Sequence, residues 1–578
     1  MKSNRPISLI LILGFVFSTS TYADWPGVRL TPVLGVGDLA PGIPDSEIVI
    51  VNPPHVGADG VLVPAWYVSP ITAGQGFWYG QPGSMSLVAR EGGQAPGMPT
   101  GVILEVIEVQ ERLGEDGRIA FWGQVSGPGI VPFVNDFVVF SGYPGDIHPV
   151  LRSGDRLPGH PTGVMPGYSP GINVGVTIAD DGTLGLEIWD LLVDSQFFPF
   201  MGLYVVTPNG LDPVIVTGMP APGLAPGVLV ECLRWTHMTN EGRVVLKLGL
   251  EGPGIRDDNN GGIWTGLPGK LEPVLLESQP VPGLDPSITL RQAHSPKGLN
   301  SSGEIVVSGT LNGPGITEEN QLCYWGGSGS DLMKIACLGD DLPFEQATGT
   351  IAEISEGWLN EQGIMLPTIR ATGPGISSSN DRWGLAGYFI GSRFDVTLWE
   401  GMPIPYSGDF VSLDNSLHFV SSDETHIAAR TNFPNSAASW VPGTTILLSP
   451  DAGSTWRTVI RYGDSLDAKT VADVQYWTQS GGNDGSRYAM NDDGRLGLSV
   501  EFADGTEAAY VADPVPTGDS DLDGDLDLAD FGNFQLCYTG PASPSTLDPP
   551  CEEMDLDSDG DIDLIDFAEF QISFTGAL

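Results

Sequence analysis

The chain has 578 residues, including 78 Gly and 48 Pro, and sets 72 Asp and Glu against 25 Lys and Arg for a formal charge of −47. A field of that sign repels nucleic acid and anionic lipid, so neither is expected as a partner. The length exceeds one simple core, and this much Gly and Pro points to turns rather than long helices, so the expected class is all-β.

The N-terminus reads as an export signal. Lys2 and Arg5 precede an apolar run from Ile7 to Phe17, and Thr21-Tyr22-Ala23 offers a small-residue cleavage site. Residues 1–23 are therefore set apart, and the mature chain is expected to be secreted or held at the cell surface. No later stretch approaches the roughly 20 apolar residues of a membrane span, so insertion into a membrane is not expected.

From residue 24 to 513 the sequence repeats. A strand-and-turn phrase runs Val33 to Gly42, Val88 to Gly97 and Val150 to Gly159, and it returns at Val214, Val274, Ile335, Leu398 and Val459 with falling fidelity. A second phrase is a polar turn with Gly before an alternating strand, as at Glu115-Asp116-Gly117, Asn240-Glu241-Gly242, Asn300 to Gly303, Asn360 to Gly363 and Asn491 to Gly494. A third, Gly-Pro-Gly-Ile, ends the second strand at 127–130, 252–255, 313–316 and 373–376. The unit of roughly 60 residues holds four short antiparallel strands, the size of one β-propeller blade. Eight copies of the first phrase predict eight blades. The chain opens with an isolated outer strand (Val28 to Gly37) and its last unit (Arg495 to Asp513) lacks one. An N-terminal strand is thus expected to complete the last blade, close the ring and remove both free sheet edges.

Ser449-Pro450-Asp451-Ala452-Gly453-Ser454-Thr455-Trp456 fits S-x-D-x-G-x-T-W and resembles the Asp-box of sialidase-like propellers, which forms the turn between third and outer strands. The resemblance implies a structural role: Asp451 accepts backbone N–H bonds and Trp456 packs between blades. The repeats also resemble a family of exported bacterial tandem-repeat proteins with an Asn-x-x-Gly-x-x-Ala-Phe signature, matched best at Gly117-Arg118-Ile119-Ala120-Phe121. That family implies no activity.

Chemistry is hard to place on the propeller. The seven histidines (His55, His148, His160, His237, His294, His418 and His426) show no zinc-ligand spacing, and there is no H-E-x-x-H, G-x-S-x-G or Walker sequence. Trp66, Trp78, Trp189, Trp264 and Trp325 offer faces on which a sugar can stack. The recurrence of Trp78, Trp264 and Trp325 at the third strand favours packing between blades instead. Cys323 and Cys337 flank one hairpin turn, and Cys232 is left over as a small buried hydrophobe. No catalytic residue is nominated.

After a Pro-containing linker (514–518), residues 519–578 hold one unit twice. Asp519, Asp521, Asp523, Asp525, Asp527 and Asp530 occupy positions 1, 3, 5, 7, 9 and 12 of a loop with Gly524 at position 6, and Asp555, Asp557, Asp559, Asp561, Asp563 and Asp566 repeat the pattern around Gly560. Oxygen ligands at that spacing suit Ca²⁺, and no Lys, Arg or His follows Arg495 to balance the charge otherwise. Two bound calcium ions are expected. Each loop leads into one short amphipathic segment. Pro514 and Pro516, then Pro549 and Pro550, prevent a helix from entering, unlike an ordinary EF-hand.

A loop with one exiting helix, given twice, resembles the dockerin family (type I-like), and the resemblance covers 519–578. It implies a small α domain that, with calcium, docks on a cohesin-like or other surface protein, a habit of secreted polysaccharide-degrading enzymes. Dockerin contact positions 10 and 11, often Ser or Thr, are here Leu528-Ala529 and Leu564-Ile565, an apolar docking surface. A Cys537–Cys551 bridge would close the link between the units in an oxidising compartment. The combined reading is a non-catalytic propeller that binds a glycan or protein and is displayed through this module. The alternative is a dockerin-borne glycoside hydrolase or carbohydrate-binding protein of polysaccharide catabolism, whose site would lie near the irregular units at 160–200 and 406–445.

Overall fold

The computed structural model describes residues 28–70, 72–107, 111–166, 172–179, 181–190, 200–329, 331–343, 347–354, 359–365, 367–377, 381–388, 395–399, 402, 411, 418–421, 426–433, 443–449, 456–476, 489–515, 518–520, 526–541, 551, 554–556 and 561–574. The export signal, Asp-box residues 450–455 and much of 406–445 lie outside these.

Eight antiparallel sheets follow one another along the chain and build an eight-bladed β-propeller. Blade 1 runs Glu47–Val51, Val61–Val68, Ala73–Gln81 and Ser84–Arg90. Blades 2 to 7 occupy 103–152, 172–216, 229–276, 289–337, 350–399 and 418–461. Blade 8 takes its first three long strands from 469–514, and its fourth is Val28–Gly35, which pairs with Glu507–Pro514 so that Val28 faces Pro514. All eight copies of the first phrase start in the fourth strand of a sheet.

The strands are apolar where blades cover them. Phe137–Tyr143 has six consecutive buried residues because both faces of a middle strand pack against neighbouring blades. The first strand, such as Glu47–Val51, keeps several residues exposed. In every blade the third and fourth strands slip by one residue, as at Phe77/Trp78, Tyr324/Trp325 and Gly384/Leu385, and such bulges sharpen the twist each blade needs. Each Gly-Pro-Gly-Ile segment closes a turn, with Ile130 N bonded to Gly127 O at 3.1 Å and Ile255 N to Gly252 O at 3.2 Å. The third phrase is therefore turn chemistry.

The second phrase ties blade to blade. Asn300 Oδ1 accepts Glu304 N at 2.9 Å and closes its own hairpin, while Ser301 N donates to the Glu361 carboxylate in the next blade, 60 residues on. Asp181 N likewise donates to Asn240 Oδ1 at 3.0 Å, and Glu241 N to Asp181 Oδ2 at 2.8 Å. Asn491 Nδ2 reaches Gly57 O at 3.3 Å, joining blade 8 to blade 1. The period seen in the sequence is thus the spacing of a hydrogen-bonded belt of turns.

Past the propeller come two ten-residue helices, α1 (Leu528–Cys537) and α2 (Leu564–Ser573).

Candidate metal centre

The two C-terminal units fold alike because their sequences place the same groups at the same turns. Asp527 is the N-cap of α1, and its Oδ1 accepts Ala529 N at 2.6 Å. Asp530, fully buried, takes Asp527 N on Oδ2 at 2.8 Å and Ser520 N on Oδ1 at 2.7 Å. In the second unit Asp563 Oδ1 accepts Ile565 N at 2.7 Å, and Asp566 accepts Asp563 N at 2.7 Å and Leu556 N at 2.6 Å. Loop positions 9 and 12 therefore form a capping box in both copies, satisfying N–H groups that a helix start leaves open. The helix-facing half of this arrangement is missed by a reading that treats both residues as ligands alone. The signal was present as Asp-x-x-Asp before an apolar run.

The helices pack through their phenylalanines. Phe531 and Phe534 meet Phe567 and Phe570, with Phe531–Phe567 and Phe534–Phe570 ring centroids both 5.5 Å apart. Spacing of three places both rings of each helix on one face. Leu526, Met554 and Ile562 complete the small core. Cys537 and Cys551 are bonded to each other, with Cα atoms 5.2 Å apart, and this link fastens the end of α1 near the start of the second loop.

In the second unit, one carboxylate oxygen each of Asp561, Asp563 and Asp566 lies within 4.8 Å of the others. Asp561 and Asp566 are buried. Three oxygens at that mutual distance can surround one ion at about 2.4 Å, the Ca²⁺ range. Carboxylates this close repel by roughly 1 kcal/mol per pair in water and about 3 at an effective dielectric near 20. The hydrogen bonds to Asp563 and Asp566 do not use up their capacity, since each ionised carboxylate has about four lone-pair positions. In the first unit Asp519 is fully buried near the helix start, with Asp527 and Asp530 placed as above, and Asp555 is half-buried in the second. Asp521, Asp523, Asp525, Asp557 and Asp559 lie outside the described residues. The donor set is all hard oxygen, and it fits a calcium-sized cation.

On the propeller, the nominated aromatics are mostly interior. Trp78, Trp264 and Trp325 are fully buried, whereas Trp66 stays 39% exposed. Trp456 is also buried, and its Nε1 donates to Thr397 O in blade 6 at 2.6 Å, as packing between blades requires. His55 and His160 are buried against Glu111 (3.2 Å) and Asp190 (3.4 Å). Nothing in the spacing of the chain announces these pairs. Burial pushes Lys247 below its usual range despite the opposing Glu277 carboxylate, and Lys247 Nζ donates to Ala293 O at 2.5 Å. Cys323 is bonded to Cys337 across adjacent strands. Cys232 is half-buried rather than interior, because it sits on the bulged first strand of blade 4 at the edge of the sheet.

The profile of a family of unknown function, DUF7453, matches residues 23–173 and 193–435, more than half of the chain. The chain belongs to that family. The DUF7453 match takes in the Val28–Gly35 strand, blades 1 to 6 apart from residues 174–192 of blade 3, and part of blade 7, and stops short of the two calcium-type loops. No curated protein is significantly similar. Among solved structures, the chain is similar to the β-propeller domain of the Trilobed protease from Pyrococcus furiosus (9% identity, 72% of this chain and 99% of that one, TM-score 0.34). It is also similar to an oligogalacturonate lyase in complex with manganese (9%, 71% and 99%, TM-score 0.33) and to a Pyrococcus horikoshii acylaminoacyl peptidase (9%, 78% and 58%, TM-score 0.35). Among the described residues no helix is long and apolar enough to cross a membrane.

Proposed function

We propose that this protein is a secreted, non-catalytic propeller that binds a glycan or protein and is held on a cell-surface or scaffold partner by its C-terminal dockerin-like module. The observation that carries the reading is the convergence of Asp561, Asp563 and Asp566 oxygens within 4.8 Å of one another, in a segment without any basic residue. Asp519, Asp521, Asp523, Asp525, Asp527 and Asp530 would hold one Ca²⁺, and Asp555, Asp557, Asp559, Asp561, Asp563 and Asp566 a second. The ions would neutralise each loop and let the two capping boxes and the shared phenylalanine core form together. Leu528, Leu564 and Ile565, exposed by 74%, 69% and 55%, supply an apolar contact for the partner beside the loops. At the other end, the pairing of Val28–Gly35 with Glu507–Pro514 serves as the latch that closes the ring.

The test is calorimetric titration of the metal-stripped full chain with Ca²⁺. Two ions per chain are expected, falling to one in Asp566→Ala and one in Asp530→Ala. Heats indistinguishable from dilution would remove the calcium-dependent attachment. Release of reducing ends from a polysaccharide panel would separately overturn the non-catalytic part and make the protein a glycoside hydrolase.

A further inference from the structure

In a chain where 72 acids face 25 Lys and Arg, four of the cations, Arg234, Lys247, Arg291 and Lys297, lie in the first two strands of blades 4 and 5 or in the link between them. The same span of blades 1 and 3, residues 47–68 and 172–190, holds no Lys or Arg. Arg234 and Lys247 stand directly opposite each other in the ladder, so both side chains lie on one face of the sheet. That face is turned to blade 5. Val245, two residues before Lys247, belongs to the core shared with blade 5, and Lys247 Nζ donates to Ala293 O at 2.5 Å. Like charges placed directly opposite destabilise a sheet, yet blade 4 keeps them.

These charges are only partly answered. Glu277 attracts Lys247, but it is buried with its Oε1 accepting Ala293 N at 3.1 Å, and burial still holds Lys247 below its usual range. Arg234 is exposed and makes no ion pair among the described residues. Burial, with the ammoniums of Lys247 and Lys297, also pushes His294 below its ordinary range, so its ring is neutral beside them.

The junction between blades 7 and 8 shows the same arrangement completed. Lys247 follows Leu246, the partner of Trp264 just after the slip, and Arg430 follows Ala429, the partner of Leu447 just after the slip of blade 7. The two cations therefore hold one position in their blades. Arg430 Nη2 meets Asp473 Oδ1 of blade 8 at 3.4 Å, and Thr444 Oγ1 donates to the same oxygen at 2.7 Å. Asp473 is the first residue past the slip of the first strand in blade 8, and in blade 5 that residue is Gln292. Where Arg430 has a carboxylate across the junction, Lys247 has an exposed neutral amide.

We propose that the junction between blades 4 and 5 binds the carboxylate of an acidic sugar, a uronate, among Arg234, Lys247 and Gln292. The ligand carboxylate takes the place that Asp473 holds one half-ring away. The Arg234 fork suits the two oxygens of a carboxylate, Lys247 adds a point charge, and Gln292 and His294 offer hydrogen bonds to sugar hydroxyls. Glu231, exposed on the same strand as Arg234, and Glu277 keep the local excess of positive charge small, so one negative charge is accommodated and not a dense row of them. This inference rests on the glycan-binding part of the reading above.

Calorimetric titration of the full chain in calcium-saturated buffer, with the C-terminal loops already filled, tests it. Cellobiouronate should bind at one site per chain. Cellobiose and the methyl ester of cellobiouronate, which keep the shape and lose the charge, should bind at least about tenfold more weakly, as loss of a charge-assisted hydrogen bond requires. Arg234→Gln, at an exposed side chain, and Lys247→Met should each weaken cellobiouronate about tenfold. Lys270→Gln, at an exposed lysine in the turn after the third strand of blade 4, should not. Unchanged affinity in Arg234→Gln would overturn the placement, and inorganic sulfate binding as tightly as cellobiouronate would overturn the sugar class. Absence of cellobiouronate binding overturns the inference. Cellobiose bound in that case would leave the glycan reading standing, whereas no saccharide bound at all would count against both.

Discussion

Trp325 and Pro282 are joined across a blade boundary: the indole Nε1 donates to the proline carbonyl at 3.0 Å over 43 residues of sequence. Tyr204 does the same with its hydroxyl to Pro158 O at 2.8 Å, and Tyr510 bonds the Asp467 carboxylate at 2.6 Å where the phrase has lost its proline. The recurrent Pro-Gly turn and the recurrent third-strand aromatic are thus two halves of one lock. In blades 1, 3, 4, 5 and 8 the preceding blade supplies the turn and the blade itself the ring that bonds to it.

Replacing Trp325 by Ala should therefore cost more than its area alone suggests. The side chain is fully buried, and removal leaves both a cavity and a proline carbonyl without its donor. A loss of about 3–5 kcal/mol is expected. Denaturant unfolding followed by far-UV circular dichroism reads this as a lowered midpoint. Trp66→Ala, at a side chain 39% exposed, should shift it far less.

Asp181 gives the belt of turns a pH dependence. Burial raises its pKa, but the hydrogen bonds from Thr183 and from the backbone N–H of Glu241 outweigh this, and the carboxyl lies below its ordinary range. A folded pKa below the unfolded value adds stability above the unfolded pKa of about 3.9, and that stability is lost as pH falls through the folded value. Asp181→Asn should accordingly be less stable than the parent at pH 7, with the gap closing as the pH falls below about 3.9. Thermal melts across that range check the sign. A gap that widens in acid would contradict it.

The blade count could be read before any coordinates because the turn phrase needs a particular backbone. Gly97 and Gly159 sit at φ 63° and 83°, where side chains are disfavoured, so the pattern persists from blade to blade. The packing role of Trp78, Trp264 and Trp325 was legible for a similar reason, since a binding face has no cause to recur with the repeat. The one-residue slip between the third and fourth strands was not legible, and until it is known Leu385 in blade 6 cannot be matched to Trp325 in blade 5. The His55–Glu111 pair was hidden because its partners sit 56 residues apart in different blades. In the C-terminal loops, the metal spacing was plain, while the helix-capping duty of Asp527 and Asp563 coincided with it and was masked.

The Cys537–Cys551 link should matter more than the small core around it. It closes a separation of 14 residues, worth about 3 kcal/mol in the chain-entropy view, in a segment too short to bury much surface. Cys551→Ser should speed amide hydrogen exchange in α1 by roughly 100-fold. Exchange in the middle strands of blade 5, such as Glu304–Asn312, should not change. Equal rates in α1 with and without the bridge would show that the phenylalanine stack alone holds the two helices.

Ala468 stands where the first five copies of the turn have glycine. With Asp467 at φ 49° and Ala468 at φ 62°, both central residues of the tight turn between Leu466 and Lys469 lie in the left-handed region. A non-glycine residue there costs roughly 1–2 kcal/mol, and glycine returns part of that gain through the greater freedom of its unfolded chain. Ala468→Gly should thus stabilise by about 0.5–1 kcal/mol. Ala509→Gly makes the control, since Ala509 is fully buried in a strand without positive φ and glycine there weakens the sheet. Opposite shifts of the thermal midpoint are expected from these two chemically identical changes. Shifts of the same sign would mean that side-chain contact, and not backbone strain, decides the behaviour of this turn.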